Sequence, residues 1–476
     1  MFGKDGLRKL LNENYPLLSI LVGITLVSLS IGPFQNGDTQ WEYEAATGVV
    51  KWGIPYVNNF GNLMNQPPLG FYIEALFFKL FGSSINTGTF LITLIGLGST
   101  VLLYKVGKEL YDKPTGLFAA ALFALSPWEL VLSRSFLIDA QCLFFSLLCL
   151  YVGILSIRKG SVKLSLISGV FFAAALLTKD FAAFILIPLL IFYVYSRPKN
   201  PKHILSQLTA FLLPVLLFSF LWYQAILGKE LQYMLHSSDF SDLNYSGVVL
   251  SYSFVANFLW NYGLGFFFVI AVAFSLLLFF AFRKEFPKIF LAADLICLAT
   301  ILPILILDMI LGAGLNLKAP YNNAIKYDYL ALPFFSLIAA SLVGKCLALL
   351  KSTKTKTKVN KKLIFSIVMI GALLLMATIF ANINSARQLS LSDYLLFRVT
   401  MDQAVGYSLF NYTPIPNGSL LMNIQYVGYA ILLSGLLWAS RHKLHDFFNG
   451  LFKPMRRWTK ARNSQVMQEK KTIFNT

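Results

Sequence analysis

The sequence predicts an all-α protein: a polytopic membrane helical bundle of about 12 transmembrane helices, with a large first extracytoplasmic loop carrying short amphipathic helices. Three observations carry that expectation. The composition is that of a membrane protein, with 57% hydrophobic residues, 13% charged residues and a mean hydropathy of +0.65 over 476 residues. Apolar runs recur from end to end, at roughly 14–32, 87–104, 115–132, 137–157, 164–178, 181–196, 204–228, 254–282, 289–312, 329–350, 363–382 and 424–440. The basic residues are segregated. With alternate loops taken as cytoplasmic, 31 of the 40 Lys and Arg fall on one side and nine on the other.

Charge therefore predicts both termini in the cytoplasm and the loop at 33–86 on the outer face of the cell membrane. The domain reading is a transmembrane domain over 1–440 followed by a basic cytoplasmic tail over 441–476. The net charge of +18 is then a consequence of topology, with attraction to anionic lipid second, and nucleic-acid binding is excluded as its explanation. The first apolar run is read as a retained span, because no small-x-small cleavage pattern follows it. The four cysteines lie in apolar segments and imply no disulfide framework. Of four histidines only His236 falls on the outer side, so neither zinc nor any other metal or cofactor is indicated. The sequons at Asn244, Asn411 and Asn417 all fall on that outer side.

The polar island from Pro33 to Gly82 is the feature around which the chain is organised. Asn36-Gly37 is a turn signal, and Asp38-Thr39 suit a helix start. On a helical wheel Asp38, Trp41, Glu42, Ala45, Gly48, Val49 and Trp52 share one face, opposite Thr39, Gln40, Glu44, Thr47 and Lys51. Asp38 and Glu42 are thereby expected on the packed face, where a carboxylate is costly unless paired or employed. Pro67-Pro68 then open a second apolar helix over Leu69–Phe81, too short to span and read as lying in the membrane interface or wedged against the bundle.

This loop resembles that of the C-type superfamily of membrane glycosyltransferases, nearest the protein O-mannosyltransferase and aminoarabinose-transferase branch. The resemblance rests on the early Asp38, the short helix ending near Gly53-Ile54-Pro55-Tyr56, the Gln66-Pro67-Pro68-Leu69 text and the Phe81-Gly82 stop. Two departures are visible: Asp38-Thr39 stands where the family often has Asp-Glu, and Asn65-Gln66 precede the prolines in place of Glu-Lys or His. The resemblance implies transfer of a sugar from a polyprenyl-phosphate or dolichyl-phosphate donor to a hydroxyl of a protein, lipid or glycan acceptor on the outer face.

Later corners extend it. Ser133-Arg134 and Asp139 are similar to a Ser-Arg-x4-Asp element of the family; they pair with each other, or Arg134 binds the donor phosphate while Asp139 shapes the sugar pocket or steadies Arg134. Lys179, in a short outer turn, is either a second phosphate contact or a snorkelling lysine. Lys326, Tyr327, Tyr329 and Pro333 match a late Tyr-rich element, which makes Lys326 a third phosphate contact and the tyrosines sugar contacts; tyrosines at a boundary also suit an aromatic belt. Asp294 and Asp308, inside a span, are functional candidates because intramembrane carboxylates are rare.

The chemistry asks for a base on the acceptor hydroxyl, cations on the leaving phosphate and a carboxylate or aromatic face near the anomeric carbon. Asp38 and Glu42 are expected to be catalytic, as base and support. Arg134, Lys179 and Lys326 bind donor phosphate, and Asp139, Tyr327, Tyr329 and Gln66 form the sugar and acceptor pocket. The rival class is a transporter or lipid flippase, but paired halves and interrupted helices with mid-membrane polar groups are absent from the pattern.

Overall fold

A computed structural model describes residues 4–31, 33–35, 37–57, 62–64, 66–196, 201–219, 266–314, 328–352, 361–391, 411–412 and 423–439. Lys326, Tyr327, the tail over 441–476 and the stretch at 229–253 lie outside them, as do Asn244 and Asn417. Within the described residues every expected apolar segment is helical. Five helices are long and apolar enough to cross a membrane by length and composition, and several shorter apolar helices accompany them. The protein is a multi-pass, all-helical membrane protein.

The chain opens with α1 (Lys4–Ser30) and enters the first loop through β1 (Phe34–Gln35). Helix α2 (Gly37–Trp52) is followed by a two-residue ladder, β2 (Tyr56–Val57) with β3 (Asn62–Leu63), and by α3 (Leu69–Phe81). Ser84 caps the next helix, α4 (Ile85–Leu110), accepting the Thr87 N–H at 3.0 Å. Asp112 caps α5 (Lys113–Leu125) in the same way at 2.8 Å, with Pro114 in its first turn. Pro127 ends α5 because the residue before a proline leaves helical geometry; Ser126 is extended, and the short α6 (Pro127–Ser133) starts anew. What reads as one apolar run at 115–132 is thus two helices with a corner between them.

The order continues with α7 (Asp139–Lys159), which ends on left-handed Gly160, then α8 (Val162–Leu176) and a 3₁₀ turn at Asp180–Ile185 leading into α9 (Leu186–Ser196). Beyond these lie α10 (Pro201–Pro214), α11 (Phe266–Ala281), α12 (Lys288–Gly314), α13 (Leu332–Ser352) with a preceding 3₁₀ turn from Asp328, α14 (Lys361–Leu391), β4 (Asn411–Tyr412) and α15 (423–439).

Helices α5, α7 and α13 form the middle of the bundle; 89% of the span-length window at Tyr329–Leu349 is buried. Small residues let helices meet backbone to backbone, as membrane helices require where lipid offers no hydrophobic drive to associate. A Cβ at Gly107 of α4 would come within 2.7 Å of the Gly116 Cα in α5, and one at Gly23 of α1 within 2.5 Å of the Gly428 carbonyl oxygen in α15. The first helix is therefore held against the last described one, with the Tyr15 ring 5.3 Å from that of Trp438. At the other end of that pair, beyond Ser30, β1 and β4 run antiparallel, Phe34 opposite Tyr412 and Gln35 opposite Asn411.

Candidate active site

Helix α2 starts where the turn signal places it, but its packed face is rotated from the wheel's expectation. Thr39 is 1% exposed and Glu42 2%, with Ala45, Ala46 and Val49 beneath them, whereas Trp41 (43%) and Trp52 (51%) are exposed. Trp41 and Trp52 therefore do not share the packed face, and Thr39 does. The reason is environmental: in a membrane protein large aromatics are equally at home against lipid, so apolar character alone does not separate protein-facing from lipid-facing positions. Asp38 is half-buried in the first turn of α2.

Glu42 reaches across to the start of α7, where its Oε2 accepts the Ile138 N–H at 2.8 Å. The next residue, Asp139, is 3% exposed and forms an ion pair with Lys179, Nζ to Oδ1, at 2.6 Å. From α3, Glu74 is fully buried and its Oε1 accepts the Gln141 Nε2–H at 2.7 Å. Helix α2, helix α3, the N-terminus of α7 and the turn after α8 thus bring Glu42, Glu74, Asp139, Gln141 and Lys179 together. The Leu69 N–H, bonded to the Leu177 carbonyl at 2.9 Å, ties the start of α3 to that same turn.

Two of the carboxyls, Glu42 and Glu74, lie beside the Asp139–Lys179 ion pair without being part of it, and their protons respond. Burial, reinforced by the neighbouring Asp139 and Asp38, pushes Glu42 well above the ordinary carboxyl range, with Lys179 pulling the other way. Burial and the nearby Glu42 push Glu74 up, against its bond from Gln141. Four buried acceptor oxygens at this site have no hydrogen-bond partner among the described residues: Glu74 Oε2, Asp139 Oδ2, Gln141 Oε1 and Gln66 Oε1. A buried polar atom left so costs about 1–3 kcal/mol, which makes a concentration of them informative.

Arg134 and Asp139 do not contact each other in the way their spacing offers. Arg134 is 9% exposed; its Nε and Nη2 donate to the Ile31 carbonyl at 3.2 and 2.9 Å, and its Nη1 to Thr93 Oγ1 at 3.1 Å. It closes the C-terminal end of α1, just before the loop that carries Asp38. Tyr329 is 1% exposed, and its hydroxyl donates a short hydrogen bond to Glu129 Oε2 on α6, beside Trp128. Gly96 of α4 leaves the space, since a Cβ there would lie 2.8 Å from Glu129 Oε1. Glu74, Glu129 and Gln141 were missed at the sequence level. Their signal was present: Glu74 is the one acidic residue of the apolar α3, Glu129 the one charged residue of α6, and Gln141 stands two residues from Asp139 at the start of the apolar α7.

Deeper in the bundle Asp294 of α12 and Lys345 of α13 form an ion pair of 2.5 Å with both side chains fully buried. Tyr111 donates to Asp294 Oδ1 at 2.7 Å, and Lys345 donates to the Ser275 carbonyl and hydroxyl at 3.0 and 2.8 Å. The side chain of Asp308 lies outside the described ones. Among the described residues no group of three or more His, Cys, Asp or Glu could hold a metal ion.

An all-helical, multi-pass membrane protein with a polar first loop folded over charged helix ends is the class that these observations define. Residues 65–223 match the family model described as dolichyl-phosphate-mannose-protein mannosyltransferase, and the resemblance read from the first loop is thereby borne out. YycA, a candidate mannosyltransferase of Bacillus subtilis (strain 168), is 28% identical over 154 residues, which are 32% of this chain and 22% of that protein. YkcB of the same organism, with the same description, is 27% identical over 151 residues, 31% of this chain and 21% of that protein. The aligned part is about a fifth of the length of each of these curated relatives. The crystal structure of ArnT from Cupriavidus metallidurans bound to undecaprenyl phosphate overlaps 89% of this chain and 77% of its own, at 15% identity and a TM-score of 0.46.

Proposed function

We propose that this protein is a membrane glycosyltransferase that moves a sugar, mannose by the family's description, from a polyprenyl-phosphate donor to an acceptor hydroxyl on the outer face. The observation that carries the proposal lies mostly inside the family-matched segment: the Lys179–Asp139 ion pair set beside Glu42 and Glu74 at the meeting of the first loop with α7. Asp38 takes the acceptor hydroxyl's proton as its oxygen attacks the anomeric carbon and the bond from that carbon to the phosphate oxygen breaks. The departing phosphate keeps the electron pair, and Lys179, Arg134 and Lys326 meet its charge. For Lys179 this means exchanging Asp139 for phosphate, and for Arg134 it means turning from the Ile31 carbonyl. Glu42 supports the base. Asp139, Gln66, Tyr327 and Tyr329 form the sugar and acceptor pocket, and the partnerless oxygens of Asp139 and Gln66 support that role for those two.

Purified protein in liposomes, given dolichyl- or undecaprenyl-phosphate mannose and a panel of hydroxyl acceptors, tests the reading. Donor should be consumed, and Asp38→Asn should lower transfer by about two to four orders of magnitude with the folded yield unchanged. Failure of the native protein to consume the donor with any acceptor removes the glycosyltransferase reading. Near-normal transfer by Asp38→Asn moves the base to Glu42 or Asp139.

A further inference from the structure

The first turn of α7 carries both helices of the first loop. Ile138, directly ahead of Asp139, has no side chain that could cap α7, and the Glu42 carboxyl of α2 accepts its N–H instead. From the other side α3 comes so close that a Cβ on Gly70 would lie 2.6 Å from the Ile138 Cγ2. One turn further along α3, Glu74 meets Gln141. These contacts flank Asp139 and its pair with Lys179. The seat of the loop on α7 therefore sets where Asp38, one turn before Glu42, stands relative to that lysine.

Glu74 is held unlike the other carboxyls of the site. It is fully buried among Gly70, Phe71, Ala75 and Phe78, and among the described residues it forms no ion pair and receives one hydrogen bond, from the Gln141 amide. What is left on the two side chains is one acceptor each, Glu74 Oε2 and Gln141 Oε1, both buried and both without a partner among those residues. Two acceptors cannot satisfy one another, and a carboxylate among these apolar side chains would be uncompensated. A single proton removes both faults, because a carboxylic acid has an O–H donor and a carboxamide has an acceptor beside its N–H. Burial and the nearby Glu42 favour that proton. The partnerless oxygens of Asp139 and Gln66 are untouched by it and stay with the proposed pocket.

We infer that Glu74 is a positioning residue: a neutral carboxylic acid, joined to Gln141 by an N–H bond to Oε1 and an O–H bond to the amide oxygen, that seats the first loop on α7. Its part in the reaction rests on the glycosyltransferase reading; there, a charged Glu74 would add to Glu42 and Asp139 beside the donor's phosphate. The titratable group set against it is Glu42 from α2, with Asp139 of α7 and Lys179 of the turn after α8 beyond. Helix α4 brings none, since Lys105, Lys108 and Glu109 lie in its last two turns. As pH rises and Glu74 ionises, the O–H donor is lost, like charges oppose each other between α2 and α3, and the seat loosens.

The full chain in phosphatidylcholine liposomes tests this by infrared spectroscopy and hydrogen exchange. Native protein at neutral pH should show a protonated-carboxyl C=O band that moves to lower frequency in D2O, and Glu74→Gln should remove part of it. Glu74→Gln keeps both bonds, because an amide donates and accepts as the acid does. Its peptides over 37–57 and 66–82 should exchange like the native ones at neutral pH and more slowly than those at alkaline pH. Glu74→Leu should speed their exchange several-fold and lower kcat by about 10- to 100-fold, as a small misplacement of reacting groups does, while Glu74→Gln retains most of the native kcat. Loss of a carboxylate band, in place of the acid band, in Glu74→Gln overturns the inference, because Glu74 is then charged. Exchange as fast in Glu74→Gln as in Glu74→Leu also overturns it, since the two-bond pair then seats nothing. Should Glu74→Leu not fold, the infrared band and the alkaline exchange of Glu74→Gln against native protein still decide. A native protein without transfer activity would fail the glycosyltransferase reading and leave those two results standing.

Discussion

Two buried ionic clusters lie at opposite ends of the stretch from Tyr329 through α13, and they are built differently. At the Lys345 end, Asp294 and Lys345 balance one another, and Tyr111 and Ser275 take up remaining hydrogen-bonding capacity. Near the Tyr329 end, Glu42 and Glu74 lie beside the Asp139–Lys179 pair, and four acceptor oxygens, from Glu74, Asp139, Gln141 and Gln66, have no hydrogen-bond partner among the described residues. Sixteen helical residues put the two ends about 24 Å apart. The difference teaches how to read buried charge in this bundle. A balanced pair, in which Lys345 itself lies 2.5 Å from Asp294 Oδ2, holds helices in register; an unbalanced group with unused oxygens keeps capacity for a further partner, and most of that group lies in the family-matched segment.

The largest effect on folding should come from the balanced pair. Lys345→Met leaves Asp294 buried without its cation and should destabilise by about 3–5 kcal/mol, whereas Asp294→Asn/Lys345→Met together should recover much of that loss. Thermal unfolding in detergent, followed by tryptophan fluorescence, measures both. Equal losses in the single and double variants would erase the contrast between the clusters.

At the other cluster the same operation should cost less stability and more function. Lys179→Met frees Asp139 in a place where Lys179 is still partly exposed, so a loss of about 1–3 kcal/mol is expected. The apparent donor KM should rise, and rise further with Arg134→Met. Unchanged donor kinetics in both variants would take these cations out of the phosphate site.

The smallest effect concerns pH. Glu42 and Glu74 bind their protons more tightly in the folded protein than in the unfolded chain. Their contribution to stability is therefore present at low pH and declines as pH rises from the unfolded carboxyl value, about 4.3, through the raised folded values. The melting temperature should fall over that rise. Glu42→Gln and Glu74→Gln, which mimic the neutral acid, should each flatten the slope while changing stability by under about 1 kcal/mol at low pH. A slope unaltered in both would mean that these carboxyls are ionised in the folded state.

Much of this was legible in the chain itself. Membrane-length apolar runs announce helices because a backbone in hydrocarbon has to satisfy its own hydrogen bonds. Turn and cap residues such as Gly37, Ser84, Asp112 and Pro127 mark where helices begin, since their preferences are local. The charges worth attention were also visible, because a carboxylate or guanidinium amid apolar residues stands out by its cost of burial. Partnership was not visible. Asp139 lies five residues from Arg134 and 40 from Lys179, yet it is Lys179 that it meets, because the turn after α8 returns to the start of α7. Tyr329 finds Glu129 across 200 residues, and Trp41 turns outward while Thr39 turns in. Which residues are buried and polar is decided one position at a time; which of them touch is decided by how helices cross, and that depends on the glycines at Gly23, Gly107, Gly116 and Gly428 that let backbones approach.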